Sequence, residues 1–341
     1  MNPLVSIIIP CFNEEKYISG ILDDILKQDY RKESLEVLVV DGMSSDGTQE
    51  IIRQYQKRYP FIRLEVNERQ FVPFALNLGI HKSNGEVIAI MGSHAQYPPD
   101  YISSLVHALF ELNADNVGGV CVATPAETTP RARAIAGALS SPFGMGNAMF
   151  RIGSRKRMKV DTVTFGCYRR SVFDKIGLFD EELLRNQDDE LNGRLLKNGG
   201  VIYLIPEVRI AYYPRATLKG IQRMFYQYGL FKPLVALKLG RPATLRQLVP
   251  PLFVLFLMSF LAGSFIHPFI RAVFLLVTGL YILTNFLVTL RICLRDHSVI
   301  QSLYLPWLFL LIHLSYGWGY LVGIVKFIIF RKKIIVVKTS R

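Results

Sequence analysis

The first 122 residues alternate between short apolar runs and longer segments with helical periodicity. The apolar runs are rich in β-branched residues and predict buried strands at residues 4–9, 35–40, 62–66, 86–91 and 117–122. The segments between them predict helices at residues 14–27, 48–58 and 71–82. Strands and helices that alternate at this spacing form right-handed βαβ units. We therefore expect an α/β fold with a mainly parallel, Rossmann-like sheet.

The pattern is weaker between residues 124 and 208. Residues 132–139 and 188–197 predict helices, and residues 160–168 and 201–205 predict strands. Five basic residues fall within residues 151–159, which we interpret as a loop. These elements extend the α/β domain, which we expect to occupy residues 1–208.

The rest of the chain is dominated by apolar segments. Residues 209–247 are basic and apolar by turns, which is typical of helices that lie in a membrane interface. Three apolar segments follow at residues 248–266, 269–290 and 303–330, and each reaches roughly the 20 residues that a spanning helix needs. These segments predict a transmembrane region over residues 248–330. The alternative is that they are buried helices of a large soluble domain.

The third apolar segment leaves two questions open. Its glycines, Gly317, Gly319 and Gly323, either bend the helix or let another helix pack closely. Three crossings would also place the basic tail, residues 331–341, outside the cell, against the positive-inside tendency. Either the third segment re-enters the membrane instead of crossing it, or the tendency fails for this chain.

Charge is divided unevenly along the chain. Residues 1–207 contain 23 Lys and Arg against 26 Asp and Glu, whereas residues 208–341 contain 17 basic residues and one acidic residue, Asp296. A basic half is compatible with nucleic-acid binding, but here the basic residues flank long apolar segments. This pattern favours an anionic membrane surface as the partner and argues against nucleic acid.

The cysteines and the N-terminus indicate the compartment. Cys11, Cys121, Cys167 and Cys293 have neither metal-site nor disulfide-framework spacing, which is typical of reduced thiols in the cytosol. The N-terminal apolar run is short and has no basic residues before it, unlike a signal peptide. We therefore expect a multi-pass protein of the cytoplasmic membrane whose first domain stays in the cytosol.

Two strand ends carry candidate chemistry. The fourth predicted strand stops at Gly92-Ser93-His94, which delivers polar groups to the carboxyl edge of the sheet, where ligands of open α/β folds bind. Asp41 follows the second predicted strand, and a carboxylate there can accept hydrogen bonds from a ribose or a base. Taken alone, Asp41-Gly42 after a strand is more often only a turn.

Several linked motifs carry a resemblance to a known family. The stretches VSIIIPCFNEEKYI, VLVVDGMSSDGT and ALNLGIHKSNGEVIAIM, in this order and spacing, resemble the family 2 glycosyltransferases with a GT-A fold. The resemblance continues through VDTVTFGCYRRSVFDKIGLFDEELLRNQDDELNGRLLKNGG and covers about residues 4–235. Most similar are the membrane enzymes of exopolysaccharide assembly, of the succinoglycan-biosynthesis type.

This resemblance implies an inverting hexosyltransferase on the cytosolic face of the membrane. It would move a sugar from a nucleoside-diphosphate sugar, with a UDP-sugar as the expected donor, to a lipid-linked polyprenyl saccharide during cell-surface polysaccharide biosynthesis. Two alternatives remain: a polyprenyl-phosphate sugar synthase, and a non-catalytic glycosyltransferase-like membrane scaffold.

By position in the family motifs, five residues of the first two strand ends belong to the donor site. Pro10, Phe12, Asn13 and Glu14 would line the nucleotide, and Asp41 would hold its uracil or ribose. These assignments rest on the resemblance.

The family's Asp-x-Asp metal motif falls on Gly92-Ser93-His94, where the sequence departs from the pattern. A divalent cation that bridges a diphosphate prefers hard oxygen ligands. His94 can ligate Mn²⁺ but is a poor ligand for Mg²⁺, so a bound cation would favour Mn²⁺. Alternatively, His94 donates a hydrogen bond to the diphosphate or is a structural histidine.

The family's Glu-Asp catalytic motif falls on Gln187-Asp188. Asp188 would be the base that removes the proton from the acceptor hydroxyl. The structural alternative is an acidic helix N-terminus, with Asn186 as its cap and Asp189 and Glu190 interacting favourably with the helix dipole. Both readings can hold together, and we assign Asp189 and Glu190 mainly to the structural one.

Four further residues are candidates for binding the acceptor or its diphosphate: Gln187, Arg155, Arg215 and Gln227. The two arginines lie in basic segments, which are equally readable as membrane-surface charge. Gln227 begins the nearest match to the Gln-x-x-Arg-Trp motif of processive synthases, but the match lacks both Arg and Trp. This weakens any claim to a polymer-extruding channel.

Overall fold

The computed structural model describes residues 3–331, and its contacts divide the chain into two compact units. The first unit comprises the chain up to Val122 together with Met149–Tyr213. The second comprises Ala123–Ala148 and the chain from Pro214 onward. Except for Arg331, the basic tail predicted at residues 331–341 lies outside the described residues.

The first unit is built on one sheet. Its strands, in chain order, are β1 (Val5–Cys11), β2 (Leu35–Asp41), β3 (Ile62–Val66), β4 (Val87–Ile90), β5 (Ala95–Gln96), β6 (Asn116–Ala123), β7 (Met158–Lys159), β8 (Cys167–Arg169) and β9 (Ile202–Tyr212). The order across the sheet is β3-β2-β1-β4-β8-β6-β9-β5, with β7 paired to β9.

Helices occur in both units and are numbered along the whole chain. In chain order they are α1 (Ile18–Leu26), α2 (Thr48–Arg58), α3 (Val72–Lys82), α4 (Tyr101–Glu111), α5 (Pro130–Leu139), α6 (Pro142–Met145), α7 (Met149–Ile152), α8 (Arg170–Ile176), α9 (Gln187–Lys197), α10 (Leu218–Leu239), α11 (Val249–Ser264), α12 (Pro268–Arg295) and α13 (Leu305–Gly323).

The sheet is parallel in its N-terminal half and antiparallel elsewhere. Strands β3, β2, β1 and β4 run parallel, as the alternating pattern predicts. Strand β8 then pairs antiparallel with both β4 and β6, and β9 pairs antiparallel with β5 and β7. The sheet is therefore mixed: β6 runs in the same direction as β4, but the antiparallel strand β8 lies between them. Helices on both faces cover its apolar side chains.

Two predicted elements are shorter in the structure, for identifiable reasons. Helix α1 begins at Ile18 instead of residue 14, because Asn13 is in the left-handed region with φ 53° and the Glu14 N–H donates to Thr48 Oγ1 at 2.8 Å. Of the strand predicted at 160–168, only Cys167 and Tyr168 form a ladder, as part of β8. Phe165 has φ 54°, which interrupts an extended strand.

The second unit contains three helices that are long and apolar enough to cross a membrane. They are Leu245–Ser264, Pro268–Arg295 and Leu305–Ile329, which agree with the three predicted segments. Of the basic segment predicted as helical at residues 209–247, the first four residues belong to β9 and Leu218–Leu239 forms one long helix, α10, with buried residues along most of its length. Its location in a membrane interface stays a prediction.

Glycines bring α10 and α13 into close contact. A Cβ on Gly229 would meet the backbone carbonyl of Tyr316, and one on Gly319 would meet that of Tyr226. Of the two readings of the glycines in the third apolar segment, the structure therefore supports close helix packing.

Residues 123–148 belong to the second unit, although they lie between two parts of the first unit in the sequence. Most of α5 is buried, and its residues share an apolar cluster with α10, α12 and α13. Phe143 in α6 packs against Phe309 and His313 of α13, with ring centroids 5.0 Å apart in both cases. His313 Nε2 also lies 2.8 Å from the carbonyl oxygen of Phe143.

Candidate active site

The carboxyl ends of β1 and β2 lie side by side, and their loops are hydrogen-bonded together. Cys11 is in register with Asp41, and the Gly42 N–H donates to the carbonyl of Cys11 at 2.8 Å. Beyond the strands, the Asn13 N–H donates to Ser44 Oγ at 2.7 Å. Parallel strands thus bring the Asn13 and Asp41 loops to one edge of the sheet, where the sequence predicts a nucleotide site.

Asp41 is fully buried at this edge. Its carboxylate accepts the Ser44 N–H at 2.9 Å, the Ser44 hydroxyl at 2.5 Å and the Gln49 Nε2 at 2.6 Å. The Cys11 thiol lies 3.7 Å from the same carboxylate. Since a carboxylate has about four acceptor positions, Asp41 organises the loop that follows β2. For Asp41 to contact a uracil or ribose as predicted, one of these donors has to share its carboxylate oxygen with the nucleotide or move away.

Glu14 and His94 meet at the same edge. Glu14 is only 3% exposed, and its carboxylate lies 3.1 Å from His94 Nε2. The ring of Tyr17 packs edge-on against the imidazole, with centroids 4.5 Å apart. The sequence assigns Glu14 and His94 to the donor site separately, and the structure brings them into direct contact. Of the other predicted nucleotide-lining residues, Pro10 and Phe12 are half-buried.

Gly92 faces an aromatic ring. A Cβ at this position would lie 2.5 Å from Phe165 Cε1 and 2.9 Å from Cζ. The Gly92 N–H donates to the hydroxyl of Tyr97 at 2.7 Å, and Ser93 is buried. Within residues 3–331 no group of three His, Cys, Asp or Glu side chains could hold a metal ion. At the first position of the family's metal motif, the space that a side chain would take is therefore occupied by the Phe165 ring.

Asp188 lies in the first turn of α9 and is half-buried. Its Oδ1 accepts the N–H of Asp189 at 3.0 Å. Gln187, another predicted site residue, is the first residue of the helix and is also half-buried. Asn186 occupies the N-cap position with φ 61°, but its side chain makes no capping hydrogen bond. The predicted cap position is therefore confirmed, but the capping hydrogen bond is not formed.

Glu190 has a structural role. It is 4% exposed, and Arg194 contacts both of its carboxylate oxygens, through Nη2 at 2.8 Å and Nε at 2.9 Å. The same guanidinium donates to the carbonyl of Leu178 at 2.7 Å. The Glu190–Arg194 pair lies within α9, and the bond from Arg194 to Leu178 ties this helix to the loop before it. Because Glu190 is paired in this way, Asp188 is the better candidate base.

A buried polar network anchors α9 behind Asp188. Asn192 is fully buried and accepts hydrogen bonds from Asn116 Nδ2 at 2.9 Å and the Tyr168 hydroxyl at 3.3 Å. Its own Nδ2 donates to Thr162 Oγ1 at 2.8 Å. Burial raises the pKa of Tyr168, and the negative charge of Asp188 raises it further. Sequence patterns gave no indication of this network, because its members lie on four separate elements.

Residues 162–168 connect the two halves of the candidate site. Thr162 holds Asn192 of α9, whereas Phe165 packs against Gly92 beyond β4. The loop after β4 and the helix that carries Asp188 therefore contact the same short segment. This arrangement places the predicted donor edge and the predicted base in one continuous region of the first unit.

The two ends of the basic segment 151–159, which is predicted as a loop, form regular structure in α7 and β7. Arg151 lies within α7, and its guanidinium stacks 4.3 Å above the ring of Tyr212. Arg157 pairs with Glu111 at 2.7 Å and with Glu207 at 3.0 Å. These contacts give both arginines structural roles.

The other candidate acceptor residues lie in different places. Arg155 is exposed on the first unit. Arg215 and Gln227 belong to the second unit, where Arg215 is half-buried and Gln227 is 4% exposed within α10. Their assignment to the acceptor stays a prediction.

Comparison with known proteins gives a consistent result. Residues 6–177, half of the chain, match the family model described as glycosyl transferase family 2. The chain is 28% identical over 334 residues to a dolichyl N-acetyl-α-D-glucosaminyl phosphate 3-β-D-2,3-diacetamido-2,3-dideoxy-β-D-glucuronosyltransferase of Methanococcus voltae. That match covers 94% of this chain and 97% of the relative. The succinoglycan biosynthesis protein ExoA of Rhizobium meliloti is 29% identical over 246 residues, covering 72% of this chain and 73% of ExoA.

Solved structures show the same fold. The mannosyltransferase PcManGT of Pyrobaculum calidifontis, in complex with GDP-Man and Mn²⁺, superposes with a TM-score of 0.59 at 20% identity. The superposition covers 93% of this chain and 88% of PcManGT. TarS 1–349 of S. aureus superposes with a TM-score of 0.51 at 19% identity, covering 93% of this chain and 90% of TarS 1–349.

Proposed function

This chain belongs to the family 2 glycosyltransferases, and we propose that it transfers a sugar from a nucleoside-diphosphate sugar to a lipid-linked saccharide. The observation that carries the proposal is the match to the Methanococcus relative, because it covers 94% of this chain and extends through the candidate spans. That relative is named for a dolichyl-phosphate-linked sugar acceptor. A lipid-linked acceptor is also what an enzyme with three candidate spans can reach at a membrane surface.

Within the first unit, the proposed donor site is the carboxyl edge formed by β1, β2 and β4. Asn13 and Asp41 belong to two loops that hydrogen bonds hold together, and Glu14 contacts His94 beside them. A preformed, buried edge of this kind can bind a nucleotide without first ordering its own loops. A UDP-sugar remains the donor expected from the family resemblance.

Asp188 is the proposed general base. The acceptor hydroxyl is a weak nucleophile, and its proton has to leave as its oxygen bonds to the anomeric carbon. Asp188 accepts this proton, while the nucleoside diphosphate leaves from the opposite face of the sugar, which inverts the anomeric configuration. Asn192 and Tyr168 hold the helix that carries Asp188, so the carboxylate needs little reorganisation to act.

Purified protein in detergent provides the direct test. We would screen nucleoside-diphosphate sugars with a polyprenyl-phosphate-linked saccharide and follow sugar transfer by chromatography of the lipid product. We expect transfer from at least one donor, with inversion at the anomeric carbon. Transfer to a bare polyprenyl phosphate instead would identify a polyprenyl-phosphate sugar synthase.

A non-catalytic membrane scaffold is the second candidate, and one observation favours it. The first position of the metal motif is Gly92, and the ring of Phe165 lies where a side chain would be. A scaffold of this kind would neither transfer sugar nor hydrolyse a donor, even if the nucleotide still binds. Slow donor hydrolysis by the purified protein in the absence of acceptor would exclude this candidate.

A further inference from the structure

The loop after β4 differs from a metal-binding motif in shape as well as in sequence. The space that a side chain at position 92 would take is filled by the ring of Phe165. A Cβ there would be 2.5 Å from Phe165 Cε1, closer than nonbonded carbon atoms approach. A carboxylate at this position could be accommodated only if the Phe165 ring moved.

Phe165 is held firmly in this place. Its backbone is in the left-handed region, at φ 54°, which a bulky residue adopts only when its surroundings impose it. Its carbonyl accepts the hydroxyl of Tyr101 at 2.9 Å, and the carbonyl of Gly166 accepts the Ile90 N–H at 3.0 Å. The ring packs edge-on against Tyr97, with centroids 5.8 Å apart. The hydrogen bonds hold the backbone at Phe165 and Gly166, and the contact with Tyr97 orients the ring against Gly92.

The remaining polar group of the motif is also engaged. His94 Nε2 lies 3.1 Å from the buried carboxylate of Glu14, and the imidazole ring packs against Tyr17. The protein therefore orients His94 through its Nε2. Neither end of the Gly92-Ser93-His94 motif presents a prepared ligand to a cation.

We propose that Phe165 makes the donor site independent of a divalent cation, by occupying the space of the first metal-binding carboxylate. Phe165 then determines cofactor specificity, and the donor diphosphate is held by hydrogen bonds from the protein itself. This inference rests on the proposed function, because it concerns how the same donor site binds its nucleotide.

Nucleotide binding by the full-length protein in detergent tests the inference separately from catalysis. We would titrate UDP, and in parallel GDP, by calorimetry in the presence of either MnCl₂ or EDTA. We expect the same affinity in both conditions, within about twofold. A rise in affinity of about tenfold or more on adding Mn²⁺ would overturn the inference and leave the proposed function intact. If neither nucleotide binds in either condition, the proposed function fails and this inference fails with it.

A pair of variants tests the role of the ring. Phe165→Ala opens the space beside Gly92, and Gly92→Asp combined with Phe165→Ala places a carboxylate in it. We expect Mn²⁺ to strengthen UDP binding by about tenfold in the double variant only. An equally strong Mn²⁺ effect in Phe165→Ala alone would contradict the assignment, because a metal site would then exist without the carboxylate. Circular dichroism confirms that each variant is folded.

Discussion

Three acidic side chains of the first unit differ in how exposed they are. Asp41 is fully buried and accepts hydrogen bonds from Ser44 and Gln49, and Glu190 is 4% exposed and paired with Arg194. Asp188 is half-buried and accepts a backbone N–H at the start of its helix. A carboxylate that is to accept a proton from a substrate has to be reachable, which favours Asp188 over Glu190.

Asp41 provides the first prediction. We expect Asp41→Ala to weaken UDP binding by about 1–3 kcal/mol. The change removes the carboxylate that would accept a hydrogen bond from the uracil or ribose, and it leaves that group of the nucleotide unpaired in a closed site. Calorimetry measures the affinity, and thermal unfolding measures how far the loop around Ser44 and Gln49 is destabilised.

The matched control for Asp41 is Gln49→Ala, which removes one donor and leaves the carboxylate in place. If Asp41 binds the nucleotide directly, Gln49→Ala retains most of the affinity. Equal losses in the two variants would show that Asp41 acts only by ordering its loop.

Single residues also mark the limits of prediction from sequence. Asp41 and His94 stand out because each follows a strand that the apolar pattern predicts, whereas Glu14 and Asp188 are identified through the family resemblance. Phe165 is not identifiable in this way, because its significance depends on contact with a glycine far away in the sequence. The glycine at position 92 shows in the sequence that the metal motif has changed. Only the fold shows that Phe165 occupies the space of the missing side chain.

Among elements, those with a strong local signal are predicted best. The helix at residues 48–58 and the strand at residues 62–66 have the predicted bounds, because their periodicity and flanking breakers agree. The strand predicted at residues 160–168 was mostly wrong, because Thr162 and Val163 bond to Asn192 instead of to a neighbouring strand. Tertiary contacts override a weak local preference in such segments.

The contact between α10 and α13 gives an element-scale prediction. A methyl group on Gly319 would meet the carbonyl of Tyr226, so Gly319→Ala forces the two helices apart. We expect this variant to lower the free energy of unfolding in detergent by about 1–3 kcal/mol, as overpacking commonly does. Thermal unfolding followed by tryptophan fluorescence measures the effect.

Gly279→Ala on α12 is the control, because a Cβ there meets no atom within 4 Å. Alanine should leave stability unchanged or raise it slightly at this position, since it favours the helix. Equal unfolding temperatures for the two variants would show that close approach at Gly319 contributes nothing.

At the scale of the whole molecule, the order of the chain differs from the order of the compact units. The second unit includes Ala123–Ala148, although this segment lies between two parts of the first unit in sequence. Its helix α5 is composed mostly of small apolar residues and is buried nearly all round, a pattern typical of an internal helix. The sequence indicates a helix here, but not the unit to which it belongs.

This arrangement predicts how truncated proteins behave. Residues 1–247 retain α5, α6 and α10 but lack α13, so apolar side chains such as Phe143 and Ile221 lose their cover. We expect this protein to aggregate without detergent. A second truncation ends at residue 213 and replaces residues 124–147 with a Gly-Ser linker of equal length; we expect it to be soluble and to bind UDP.

Size-exclusion chromatography without detergent, followed by calorimetry, compares the two truncations. A monomeric, soluble protein of residues 1–247 would contradict the role of α13 as a cover for these helices. An insoluble second truncation would show that the first unit cannot close its own core.

The central claim is that this chain is an inverting glycosyltransferase whose base is Asp188, and one transfer assay tests it most directly. Asp188→Asn keeps the size of the side chain and an oxygen that can accept the Asp189 N–H, but it cannot take up the proton of the acceptor hydroxyl. We expect transfer to fall by about two to four orders of magnitude while nucleotide affinity stays the same. Asp189→Asn is the matched control, because adjacent helical side chains point about 100° apart, and it should reduce transfer far less. Normal transfer by Asp188→Asn together with an inactive Asp189→Asn would contradict the claim.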